Sequence, residues 1–201
     1  MTTILDKAFD TDRYPPARKA MIDSQLRTSG VNAPFVLAAM GRLAREDFLP
    51  EDKRGFAYVD RAIPLPDGGA LAAPVVQGKM LEEAVPTSED RALVIDNGSG
   101  YLAALLKPMV ADLAVESPET ALTAKKGEFT LILIDGAVQH IPAALAKRLT
   151  DGGRLVTGLA DRGVTRLARG VKANGSIALL PVADLGMPEL PAFRAKEGWS
   201  F

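Results

Sequence analysis

Apolar positions in this chain keep two different periods, and the change between them marks out its organisation. From Ala17 to Thr28, Met21, Ile22 and Leu26 fall on one side at helical spacing, which predicts an amphipathic helix. Asn32 is placed to cap a second helix, with Pro34 in its first turn and Phe35, Val36, Ala39, Met40 and Leu43 as its apolar face. The stretch 45–74 is rich in Pro, Gly and Asp and reads as an ordered loop with at most short strands. Loops of that length are uncommon unless they carry function or cover something. A third helix is expected from about Val75 to Ala84.

From Ala92 onward the helical period gives way to short runs that are apolar throughout, at 92–95, 111–115, 129–134 and 154–159. Helical stretches lie between them, at Tyr101–Leu106 and Ile141–Leu149. Strands without polar alternation, spaced by helices, predict a parallel sheet covered on both faces, so the fold class is α/β. The usual strand order puts the run from 129 beside the run from 92. Segments 164–171 and 176–183 are separated by a loop containing Asn174-Gly175, a hairpin signal, and should close the sheet antiparallel at one edge. Trp199 and Phe201 alternate near the end of the chain and read as packing residues of a terminal strand.

The 201 residues suit one domain, 1–201, with helices and a loop over 1–90 and the strand-helix core over 91–201. Hydrophobic residues at 47% and charged residues at 24% are globular proportions. A formal charge of −1 leaves no excess of positive charge for a phosphate backbone, so nucleic acid is not expected as a partner; Arg162, Arg166 and Arg169 read as a solvated face. Without cysteine there is no disulfide, thiolate metal site or cysteine nucleophile, and the single His140 has no partner for a metal. The first residues carry acids where a signal peptide would be basic, and no run approaches the roughly 18 apolar residues of a membrane span. A cytoplasmic protein without membrane partners is the expectation.

In such a sheet the ligand crevice lies beyond the carboxyl ends of the strands, where a glycine turn lets a cofactor approach the backbone. Gly98 and Gly100 of Asp96-Asn97-Gly98-Ser99-Gly100 occupy that turn after the first strand. Glu116 ends the second strand, where an acid can accept hydrogen bonds from a ribose. Asp135 ends the run FTLILID and is placed either to contact a ligand or to cap the next turn. Asp96 replaces the first glycine of a nicotinamide fingerprint and no third glycine follows, which disfavours a dehydrogenase.

MIDSQLRTSGVNAPF, REDFLP, AYVDRAIPL and the proline before the third helix, in that order, resemble the N-terminal region of protein-L-isoaspartate O-methyltransferases. IDNGSGYLAALL resembles the S-adenosylmethionine loop of that family, VADLAVE its second strand, and FTLILIDGAVQHIPAALAKRLTDGGRLV its later strand-helix-strand unit. The resemblance spans about 30–160, and LPAF with the terminal WSF extends it towards a bacterial subgroup. It implies a Rossmann-like methyltransferase sheet with S-adenosylmethionine as cofactor. It also implies an isoaspartyl-containing protein or peptide as partner, and cofactor contacts from Asp96, Gly98, Gly100, Glu116 and Asp135.

Three features depart from the family pattern. Ala72 stands at the family's serine, Asp96 stands where the cofactor loop begins with glycine, and only residues 117–128 separate Glu116 from the next strand. A parallel crossover uses about a dozen residues itself, so the sheet is expected to be shortened by about one strand-helix unit and the adenine wall removed or rebuilt. Two readings stay open. One is a methyltransferase with altered acceptor or low activity; the other is a non-catalytic relative that binds a partner.

Overall fold

The computed structural model describes residues 14–195; Trp199 and Phe201 lie outside the described residues. The first helix, α1 (Pro15–Met21), begins on its prolines and widens into a π turn over Ile22–Leu26 rather than continuing as α-helix to Thr28. In that turn Gln25 donates to the carbonyl of Tyr58 at 2.8 Å. Helix α2 (Pro34–Arg42) follows, but Asn32 does not cap it with its side chain. The Glu82 carboxylate, from the helix α3 (Pro74–Ala84), instead accepts from the N–H groups of Asn32 (2.6 Å) and Ala33 (2.7 Å). A tertiary acceptor therefore does what the local side chain was expected to do.

Segment 45–74 is ordered, with two 3₁₀ turns and a two-stranded hairpin, β1 (Ile63–Pro64) against β2 (Ala70–Leu71). The core strands are β3 (Arg91–Ile95), β4 (Asp112–Glu116), β5 (Phe129–Val138) and β6 (Leu149–Asp161), followed by β7 (Val164–Ala173) and β8 (Ser176–Asp184). They form one sheet in the order β4-β3-β5-β6-β7-β8. The pairings β3–β4, β3–β5 and β5–β6 are parallel, and β6–β7 and β7–β8 antiparallel, as the apolar runs and the Asn174-Gly175 turn predict. Both antiparallel turns have two positive-φ residues, Arg162-Gly163 and Asn174-Gly175. That conformation matches the twist of tight hairpins.

The central strands bury both faces. Val94, Leu131, Leu133 and Val156 pack with α2, α3 and α4 (Tyr101–Leu106), while Leu93, Ile95, Ile132 and Leu155 face α5 (Pro118–Thr123) and α6 (Ala143–Arg148). One short helix, α5, is all that the connection after Glu116 contains, and β4 is the sheet's edge. Strand β5 runs past Asp135 to Val138, so Asp135 does not end it. The reason lies in the distant segment 188–190: Ala137 donates to Pro188 (2.7 Å) and accepts from Leu190 (2.9 Å), which prolongs the strand.

Candidate functional site

Strand β3 is flanked by β4 on one side and β5 on the other, so the chain leaves it in opposite directions and a crevice opens beyond its carboxyl end. The loop Asp96–Gly100 borders that crevice, with Gly98 at φ 93° and Gly100 at φ 71°, values that favour glycine. The cavity measures about 510 Å³ and is lined by Asp67, Asp96, Gly98, Glu116 and Glu119, with Val115 and Leu190 among its apolar walls. The β1–β2 turn is fastened to the loop, because Ala70 donates to the carbonyl of Asn97 at 3.0 Å. A Cβ on Gly69 would lie 2.1 Å from that same oxygen, so only glycine permits the approach.

Asp96 serves the loop itself. Its carboxylate accepts from the N–H of Gly98 at 2.8 Å and of Gly100 at 2.9 Å, one oxygen for each. Burial lifts its pKa above the ordinary carboxylate value, and the two amides pull it back only in part. Neighbouring amides of this kind form an anion-binding concavity, and here the anion is the chain's own.

Glu116 stands at the end of β4 and lines the crevice, but its carboxylate already has a partner. Arg148, at the end of α6, donates to both of its oxygens, at 2.8 and 2.6 Å. The Arg148 side chain is only 3% exposed and stacks 5.2 Å above the ring of Phe129. Each carboxylate oxygen can accept more than one hydrogen bond, so this fork leaves acceptor capacity for a ribose hydroxyl. No pattern of spacing signalled Arg148, which is 32 residues away in sequence.

Asp135 is fully buried and is not among the residues bordering the crevice. Its carboxyl accepts from Gln77 at 3.0 Å, and burial, reinforced by the charge of Asp96, pushes its pKa up to about 7. Gln77 in turn accepts from Arg45 at 2.7 Å, and Arg45 also bonds the carbonyls of Ala57 (2.8 Å) and Ala72 and stacks 4.9 Å from the ring of Tyr101. Ala72, directly after β2, is buried with its carbonyl engaged by Arg45. Loop geometry thus brings Asp96, Gly98 and Glu116 together at the crevice, with Gly100 in the adjoining turn, and sets Asp135 and Ala72 into the polar network beneath it. Asp67, Glu119, Arg45 and Gln77 were not singled out by sequence; only the Asp67-Gly68-Gly69 turn carried a local signal.

A doubly wound sheet with a glycine turn after its first parallel strand and a crevice at the reversal defines the Rossmann-like class of α/β protein. The family model for protein-L-isoaspartate(D-aspartate) O-methyltransferase matches residues 17–127. A protein-L-isoaspartate O-methyltransferase of Desulfosudis oleivorans is 30% identical, covering 93% of this chain and 95% of its own. One from Aeropyrum pernix is 35% identical over 73% of this chain and 68% of its own. A Plasmodium falciparum protein assigned to the same family, solved in complex with S-adenosyl-L-homocysteine, superposes with a TM-score of 0.68. It is 17% identical and covers 87% of this chain and 98% of its own. The chain belongs to the protein-L-isoaspartate O-methyltransferase family. No described helix is long and apolar enough to cross a membrane.

Proposed function

We propose that this protein transfers a methyl group from S-adenosylmethionine to the side-chain carboxylate of isoaspartyl residues in proteins or peptides, in the cytoplasm, at a low rate. The observation that carries this reading is the crevice at the ends of β3 and β4. It lies between the glycine turn and Glu116, in a chain related along 93% of its length to enzymes of this name. A volume of about 510 Å³ is within the usual range of small-molecule sites. The acids Asp67, Asp96, Glu116 and Glu119 suit the cofactor's positive charges. Gly98 and Gly100 allow close backbone approach, and Glu116 keeps acceptor capacity for the ribose. The fit is poorer at the cofactor's own carboxylate, because the loop amides already hold Asp96.

S-adenosylmethionine, when bound, would supply an electrophilic sulfonium methyl: a carboxylate oxygen bonds to the methyl carbon as the C–S bond breaks and its electron pair stays on sulfur. No proton moves, so this chain's residues need only align the two reactants and exclude water. The Arg148 fork fixes Glu116, and the Asp96 contacts fix the glycine turn, so both contacts are held before a ligand arrives. Ala72 offers no hydroxyl to a substrate carboxylate. A hydrogen bond to a charged group is worth roughly 1.5–3 kcal/mol, or about ten- to a hundredfold in rate.

Incubation with radiolabelled S-adenosylmethionine and an isoaspartyl peptide, beside its aspartyl isomer, tests this. Slow, base-labile ester formation on the isoaspartyl peptide alone supports the reading, and absence of cofactor binding overturns it. A second reading, a relative that binds but does not turn over, is favoured by the position of Ala72, whose carbonyl is engaged with Arg45. Binding of cofactor without ester formation would select it.

A further inference from the structure

We infer that Asp96 is a specificity determinant of the cleft, which prefers an adenine nucleoside whose tail carries positive charge and no carboxylate. This rests on reading the crevice as a nucleoside site. Two amides in a glycine turn are the groups that would neutralise an anionic end of a ligand, and both are satisfied by Asp96, at 2.8 and 2.9 Å. A ligand carboxylate arriving there would find no free donor at Gly98 or Gly100 and would face the Asp96 carboxylate itself. The surroundings make the mismatch worse: Asp67, Glu116 and Glu119 also border the crevice, and no lysine or arginine does among the described residues. Arg148 touches the lining at Glu116, but it is buried and forked onto that carboxylate.

The same lining suits cations. A sulfonium or ammonium in the crevice would be drawn to several carboxylates, and one negative charge removed from the ligand removes repulsion from each of them. Turning the Asp96 side chain aside would give up both of its amide contacts. The loop is pinned from behind by the Ala70 to Asn97 hydrogen bond, and a side chain at Gly69 would collide with the Asn97 carbonyl. Replacing the carboxylate contacts with ligand contacts would also exchange an intramolecular bond for an intermolecular one, with the loss of ligand freedom that this entails.

The test compares four adenosyl compounds by calorimetry on the full chain: S-adenosylmethionine, its decarboxylated form, S-adenosylhomocysteine and 5′-methylthioadenosine. The decarboxylated sulfonium should bind wild type about tenfold tighter than S-adenosylmethionine or better, and 5′-methylthioadenosine should bind at least as tightly as S-adenosylhomocysteine. Asp96→Asn, which keeps one acceptor without the charge, should bring the first ratio within threefold. Asp96→Gly, which frees both amides, should reverse it. Circular dichroism melts establish that each variant is folded, and the wild-type comparison needs no variant. Equal or tighter binding of S-adenosylmethionine by wild type overturns the inference but leaves the cofactor reading standing. An unchanged ratio in folded Asp96→Asn also overturns it. Failure of all four compounds to bind overturns both.

Discussion

Asp135→Asn should stabilise the protein at pH 8 relative to pH 5, by an amount readable from the buried network. The Asp135 side chain is fully enclosed, Oδ2 accepts from Gln77 at 3.0 Å, and Oδ1 has no hydrogen-bond partner among the described residues. Burial first, then the charge of Asp96, raises its pKa from 3.8 to about 7; Gln77 and Arg45 pull the other way, but Gln77 stands between the two charges. A carboxyl raised on folding keeps its proton longer in the native state than in the unfolded chain. Stability is therefore full below pH 4, falls as pH rises towards 7, and stays reduced above it. The gap between 3.8 and about 7 corresponds to roughly 4 kcal/mol lost by pH 8. Asparagine cannot ionise, but its amide hydrogens would be buried without an evident acceptor, at a cost of about 1–3 kcal/mol at every pH. Wild type has itself lost roughly 1.6 kcal/mol by pH 5, so the variant should lie within about 1.5 kcal/mol of it there and be stabilised by about 1–3 kcal/mol at pH 8. Urea unfolding at both pH values measures it. Equal effects of the substitution at the two values would refute the burial of an ionisable Asp135.

Other substitutions probe neighbouring contacts. Arg148→Met leaves the partly buried Glu116 carboxylate unpaired and should cost about 3–5 kcal/mol in urea unfolding; a loss under 1 kcal/mol would mean the fork contributes little. Glu82→Ala removes the acceptor at the start of α2 and should cost about 1–2 kcal/mol, with Glu82→Gln losing less, by the same assay. Gly69→Ala forces a Cβ to 2.1 Å from the Asn97 carbonyl, so it should weaken S-adenosylhomocysteine binding at least tenfold while lowering the melting temperature. Ala72→Ser alone should leave isoaspartyl peptide methylation within threefold of wild type, because Asp96 still holds the loop amides and cofactor binding limits the rate; a tenfold gain would show that the missing hydroxyl limits it instead.

The strands were legible because Leu93, Val94, Ile132 and Leu133 are apolar for opposite faces of one sheet, a signal wholly local to each run. The hairpins were legible for a similar reason, since Asn174-Gly175 fixes its own backbone conformation. Contacts from afar were not. Glu82 reaches Asn32 across 50 residues, Arg148 reaches Glu116 across 32, and segment 188–190 extends β5 past Asp135. None of these pairings leaves a periodicity for a sequence reading to find. Asp96 lies between the two cases. A carboxylate two residues before a glycine amide is a known local turn pattern, and its self-capping role is legible in a sequence where Asp96 otherwise reads only as a replaced glycine.

The most direct test of a nucleoside cleft at the ends of β3 and β4 is amide-resolved NMR during titration with S-adenosylmethionine up to millimolar concentration. The largest shifts are expected at Gly98, Ser117 and Glu119, and much smaller ones along β7 and β8. No saturable shifts, or shifts concentrated on β7 and β8 with Gly98 and Ser117 unmoved, would contradict it.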